Sequence, residues 1–306
     1  MPGQRGYRVA LARYMTFTKI LCPTDFSAGS QQAIRVAVRM AKESGGELVI
    51  VHSWHLPASA YSLEAPFPVY LMQGTIADSQ RALETAVEEA RAAGAKRVSG
   101  RLLNGVPWTE IVDQLEKQGF DLCVAATHGR TGLARILLGS VTTQVVRHAP
   151  CSVLVVRPDG EVKPFHHALV PTDFSESAMH ALDLAAALVE PTGSIVLLHV
   201  IEVPAAYAAE VLVADFARDL DNHAAAALDT EVERIRRTTR VRVEVRSLCG
   251  SPGAQVLAAL DADGSVDLVI MGSHGRTGIK RALMGSVAEK IVRHARCPVL
   301  VARRRG

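Results

Sequence analysis

Two hydrophobic rhythms alternate along this chain. Short runs such as Ile195–Val200 are apolar at nearly every position, as in a strand covered on both faces. Between them lie longer stretches with apolar residues three or four apart. Ala178, Leu182, Ala185 and Leu188, following the capping hydroxyl of Ser175, mark one helix this way. In the C-terminal half the pattern predicts strands at Ala168–Val170, Ile195–Val200, Val241–Leu248, Leu268–Met271 and Val299–Val301. It predicts helices from Ser175, over Ala205–Arg237, over Pro252–Leu260 with proline in the first turn, and over Ser286–His294. Strictly alternating strands and helices imply right-handed crossovers and an α/β fold: a doubly wound parallel five-stranded sheet flanked by helices. The expected strand order is 3-2-1-4-5, with the switch point between the first and fourth strands.

The same series occurs twice, offset by about 145–148 residues. Lys19-Ile-Leu-Cys-Pro-Thr-Asp-Phe-Ser27 returns as Ala168-Leu-Val-Pro-Thr-Asp-Phe-Ser175, and Gly46–His52 returns as Gly193–His199. Asn104-Gly-Val-Pro107 returns as Cys249-Gly-Ser-Pro252. Between Asp121–Arg157 and Asp267–Arg303, 21 of 37 positions are identical. The chain therefore divides into an extension (1–15), a first domain (16–158), a polar linker (159–164) and a second domain (165–306).

Composition narrows the functional classes. Lys and Arg number 34 against 31 Asp and Glu, a net charge of +3, which gives no basis for a nucleic-acid partner. No apolar run reaches the length of a membrane span, and the first residues lack a signal-peptide core, so a cytoplasmic, membrane-free protein is expected. The five cysteines form no C-x-x-C pair and read as buried thiols in a reducing compartment.

Ligands of doubly wound sheets sit outside the carboxyl ends of the strands, at the switch point. Two features converge there: the Pro171-Thr-Asp-Phe-Ser175 turn after strand one, and the loop Gly272-x2-Gly275-x9-Gly285-Ser286 after strand four. Glycines allow close backbone approach and positive φ. Gly285 and Ser286 then open a helix whose unpaired N–H groups and positive end suit a phosphate, with Arg276, Lys280 and Arg281 nearby in sequence. A plain glycine turn is the alternative. Asp25 and Asp173 read as ligand contacts or helix caps, with Ser27 and Ser175 better placed to cap. His128 and His274 read as polar loop residues without catalytic partners, His148 and His294 as partners of a helix end, and His166-His167 as too few ligands for a metal.

The spacing Gly-x2-Gly-x9-Gly-Ser, with its flanking strands, resembles the ATP-binding pattern of the universal stress protein family, over residues 16–158 and 165–303. The resemblance implies ATP or a related adenine nucleotide, with Mg²⁺ carried on the phosphates. In the second copy it implies contacts from Asp173, Val200, Met271, Gly272, Gly275, Gly285, Ser286 and Val287. In the first copy it implies Asp25, Gly129, Gly139, Ser140 and Val141, although Ala126 replaces the first glycine and Ser53 stands opposite Val200. It also implies pairing of the last strands, Cys151–Val156 with Cys297–Ala302, as an intramolecular pseudo-dimer, and allows a further homodimer. Neither a Gly-x4-Gly-Lys-Ser/Thr loop nor a Gly-x-Gly-x-x-Gly fingerprint is present. Three readings stay open: a nucleotide-binding stress or signalling module, a slow ATP hydrolase, and a scaffold whose first site has degenerated. The stretch Trp54–Gly74 reads as a lid, a partner site or a disordered insertion.

Overall fold

The computed structural model describes residues 17–55, 69–127, 138–202, 228–275 and 284–304, with backbone only for 69–72. They form two compact units, residues 17–162 and 163–304. The first contains β1 (Lys19–Pro23), α1 (Ala28–Ser44), β2 (Glu47–Trp54), α2 (Val69–Ala92) and β3 (Arg97–Asn104). It continues with α3 (Pro107–Gln118), β4 (Leu122–Ala126), α4 (Ser140–His148) and β5 (Ser152–Val156). The second contains β6 (Phe165–Thr172), α5 (Glu176–Leu188), β7 (Val189–Ile201) and β8 (Arg242–Cys249). It ends with α6 (Pro252–Ala262), β9 (Leu268–Gly272), α7 (Ser286–His294) and β10 (Val299–Ala302). Residues 228–236 are also helical; the remainder of the helix expected over Ala205–Arg237 falls largely outside the described residues, as does most of Trp54–Gly74.

Within the first unit the strands lie in the order β3-β2-β1-β4-β5, and within the second β8-β7-β6-β9-β10, the same topology twice. All described ladders within a unit are parallel. The α/β fold and strand order read from the hydrophobic rhythm are therefore those of the molecule. Two strands run further than the apolar pattern suggests. β6 starts at Phe165 because backbone pairing tolerates the polar His166 and His167, and β7 starts at Val189 through a shift of register near His167. The outer strands β3 and β8 are largely exposed and carry Arg97, Arg101, Arg242, Glu244 and Arg246, charges that discourage edge-to-edge pairing.

One feature of each sheet positions the site. The central seam is short: β6 and β9 share only Ala168↔Leu268 and Leu169↔Val269, and β1 and β4 only Ile20↔Leu122 and Leu21↔Cys123. A carboxylate fastens the amino end of each seam. Asp267 accepts the N–H groups of His166 and His167 at 2.9 and 3.0 Å, and Asp121 accepts those of Thr18 and Lys19 at 2.7 and 3.1 Å. Past the paired residues the strands separate, because each turns into a crossover leaving in the opposite direction. The sheet thus opens at its carboxyl end.

Cys22, Cys123 and Cys151 are buried as expected, and burial pushes the thiols of Cys22 and Cys123 well above their ordinary value. Cys249 departs from the expectation: it ends the edge strand β8 and is exposed, while Cys297 is half-buried. Among the described residues no helix is long and apolar enough to cross a membrane.

Candidate functional site

Where β6 and β9 separate, the second unit has an open cleft of about 870 Å³. All eight residues singled out in the second copy line it: Asp173, Val200, Met271, Gly272, Gly275, Gly285, Ser286 and Val287. One side is apolar, from Val200, Ile201, Pro252, Val256 and Met271; the other is backbone, from the glycine-bearing segment and the start of α7.

The turn after β6 is built by mutual support. Phe174 sits at φ 63°, a left-handed conformation that a bulky residue adopts only when its surroundings hold it there. Three contacts do so. The Phe174 N–H donates to Thr172 Oγ1 at 3.1 Å, its ring lies 4.7 Å from the imidazole of His199, and the Ser175 N–H donates to Asp173 Oδ1 at 3.0 Å. Ser175 caps α5 through the Ala178 N–H, as expected. Asp173 therefore ties its own turn with Oδ1 while lining the cleft, so the ligand and turn roles are not exclusive. His199 Nδ1 is 2.9 Å from the Thr172 carbonyl oxygen; since a carbonyl only accepts, Nδ1 carries the proton and donates.

The glycines need a correction. None of Gly272, Gly275 and Gly285 has positive φ, so left-handed freedom is not why they are glycines. Each has a separate steric reason. A Cβ at Gly272 would lie 2.5 Å from Ser177 Oγ and 2.9 Å from the Ser177 Cβ, inside the first turn of α5. One at Gly275 would lie 2.8 Å from Asp173 Oδ2. At Gly285 the nearest atom would be the Ser273 carbonyl oxygen, an ordinary 3.7 Å away. Among the described residues, room is left at Gly285, which lines the cleft.

Gly285 is also the N-cap of α7, with no side chain capping it. Its own N–H closes onto the Ser273 carbonyl at 3.1 Å, which fixes where the helix begins. The first-turn N–H groups that follow belong to the cleft wall and carry the positive end of the helix dipole. Ser177 Oγ further tethers the segment by donating to the His274 carbonyl. Arg276, Lys280 and Arg281 lie outside the described residues.

The first unit repeats the scaffold. Phe26 has φ 64° and stacks on His52 at 4.5 Å; His52 Nδ1 donates to the Thr24 carbonyl at 2.7 Å; Asp25 Oδ1 accepts the Ser27 N–H at 3.1 Å. Gly139 is an uncapped N-cap whose N–H reaches the Thr127 carbonyl at 2.7 Å, and Ser140 and Val141 open α4. Gly129 and His128 lie outside the described residues.

Sequence reasoning passed over His52, His199, Phe26, Phe174 and Ser177. The recurrence of His at the end of both second strands was the available signal. Among the other histidines, His148 Nδ1 meets the Gln144 carbonyl at 2.9 Å in the last turn of α4, and His166 and His167 bind Pro164 O and Ser194 Oγ. Among the described residues no cluster of three or more possible metal ligands occurs.

A model of the universal stress protein family matches residues 16–157 and again 164–303. A universal stress protein of Methanocaldococcus jannaschii is 37% identical over 142 residues, 46% of this chain and 82% of its own length. A putative universal stress protein of Staphylococcus haemolyticus is 31% identical over 161 residues, 52% of this chain and 96% of its own. Among solved structures, a universal stress protein from Archaeoglobus fulgidus covers 96% of this chain and 98% of its own, with TM-score 0.67 at 22% identity. At that identity the likeness concerns the fold.

Proposed function

The chain belongs to the universal stress protein family, as a tandem of two copies, and from that premise we propose that its second unit binds ATP or a closely related adenine nucleotide in the cleft beyond β6 and β9. The observation that carries this reading is the pairing of Gly285 with an uncapped helix start. Among the described residues, glycine stands where neither φ nor packing demands it, at a helix start whose N-cap residue offers no side-chain cap. A ligand phosphate would use both the space and the donors.

In this reading the amides and hydroxyl of Ser286 and the amide of Val287 hold phosphate oxygens, with Gly275 and Gly285 giving close approach. Asp173 accepts from the ribose hydroxyls. Backbone at Val200 reads the adenine edge, while Val200, Met271 and Val256 offer the apolar face a base plane needs. Mg²⁺ would travel on the phosphates. The chain serves as a cytoplasmic nucleotide-responsive module whose occupancy biases conformation or partner choice. Isothermal titration of the full chain with Mg·ATP tests it. Binding that weakens at least about tenfold in Gly285→Val is the expected result. Absence of heat at millimolar ATP would overturn it.

A further inference from the structure

We propose that the hollow between α1 and α2 of the first unit seats an amphiphilic anion, an acyl chain ending in a carboxylate. None of the described residues between 126 and 141 lines this hollow, so it is separate from the opening beyond β1 and β4.

The hollow has about 590 Å³, within the range of small-molecule sites. It runs from Thr24 and Phe26, at the turn after β1, to Lys42 and Ala93, at the far ends of the two helices. Its α1 wall spans Gln31 to Lys42, about 16 Å at the rise of a helix, so the space is a slot. The floor is apolar. Ile34, Val38 and Ala90 are buried there, and Ala82 and Ala86 continue the α2 wall. Methyl-sized side chains at these three α2 positions leave a gap that larger ones would fill.

The rim is basic. Arg35, Arg39 and Lys42 stand at i, i+4 and i+7 along α1, on one face of the helix. Arg39 is paired with Glu43 at 3.0 Å, whereas Arg35 and Lys42 have no ion pair among the described residues. Arg35 is nonetheless oriented. Its Nε donates to Gln32 Oε1 at 2.9 Å, and the buried Gln32 donates through Nε2 to the Gly160 carbonyl. A guanidinium held this way and lacking an acid is a fork suited to a carboxylate.

The second unit treats the same positions differently. The repeat aligns Arg35 with Asp183, and counting back from the third strands aligns Glu89 with Arg234. Asp183 and Arg234 meet at 2.6 Å and bridge α5 to the helix at 228–236. Their charge-reversed counterparts both line the hollow, yet among the described residues they form no ion pair with each other. The slot stays open between them, and with Arg39 and Lys42 on the rim the balance of charge favours an anion. A chain laid on Ile34, Val38 and the α2 alanines, with its carboxylate on Arg35, uses both the floor and the rim. A cationic amphiphile uses only the first, and a small anion only the second.

Equilibrium dialysis of the full chain against labelled dodecanoate, below its micelle concentration, tests the assignment. One saturable equivalent is expected. Decanoate should compete about tenfold more weakly, because two methylenes of buried chain are lost. Dodecyltrimethylammonium and acetate should not compete. Arg35→Met, at an exposed position, should weaken dodecanoate about tenfold while keeping its preference over decanoate. Ala86→Trp, which fills the slot, should abolish binding. Competition by the dodecyl cation as strong as that by decanoate would overturn the proposal. So would unchanged binding in either folded variant, or no saturation at millimolar dodecanoate. Arg35→Met decides the matter even if Ala86→Trp fails to fold.

Discussion

The imidazole of His199 lies against the ring of Phe174, centroids 4.7 Å apart, and the pair returns as His52 and Phe26 at 4.5 Å. In both copies the phenylalanine is left-handed and the histidine bonds the carbonyl two residues before it. The end of the second strand thus holds the turn after the first strand in the conformation that points its aspartate at the cleft.

His199→Ala should remove both supports. It leaves the Thr172 carbonyl without its donor, a loss of about 1–3 kcal/mol in unfolding free energy by denaturant titration. ATP affinity should fall as well, because Phe174 relaxes from its strained conformation. Unchanged affinity in the folded variant would separate the turn from the site.

Asp173 and Ser175 divide two duties. Asp173→Asn keeps an oxygen for the Ser175 N–H and should change stability little, yet weaken ATP about tenfold. Ser175→Ala should cost about 1 kcal/mol through the lost cap of α5 while leaving ATP affinity nearly intact. Parallel denaturation and titration of the two variants checks the division.

Gly272→Ala should destabilise the chain by about 1–3 kcal/mol through overpacking against Ser177. Gly272→Ala combined with Ser177→Gly should recover most of it. A non-additive cycle in chemical denaturation is the signature.

His180 gives the pH dependence a sign. Burial, and then the charge of Arg304, hold its pKa below the usual imidazole value of about 6.5, with Asp183 opposing. With the folded pKa depressed, the unfolded chain takes up the proton first as pH falls. The stability from neutral His180 is present above the unfolded value and is lost as pH falls toward the folded one. His180→Gln should flatten that acid-side decline in denaturation curves taken at successive pH values.

Thiol exposure is a further check on the fold. Cys249 should react rapidly with a thiol reagent in the native chain, while Cys22, Cys123 and Cys151 should react only on unfolding.

The architecture was legible in the sequence because burial on both faces of a parallel strand leaves continuous apolar runs, and because the duplication displayed each element twice. Of the eight cleft residues of the second copy, Gly272, Gly275, Gly285 and Ser286 were legible through glycine spacing and Asp173 through the turn after strand one, while Val200, Met271 and Val287 came only with the family resemblance. The reasons behind the glycines were not. Whether Gly272 faces a phosphate or Ser177 depends on how α5 packs on β9, a relation between residues 95 positions apart that no local pattern encodes. Strand limits at Phe165 and Val189 escaped for a similar reason, since backbone pairing there does not follow a continuous apolar run. His199 and Phe174 act through a carbonyl and a backbone angle, which periodicity does not reveal.

The central claim is that backbone amides at the start of α7 receive phosphate. Amide NMR of the ¹⁵N-labelled chain titrated with Mg·ATP observes those groups directly. The account predicts saturable shifts at Ser286, Val287 and Ala288, absent in Gly285→Val. Saturating ATP that leaves these amides unmoved would contradict it.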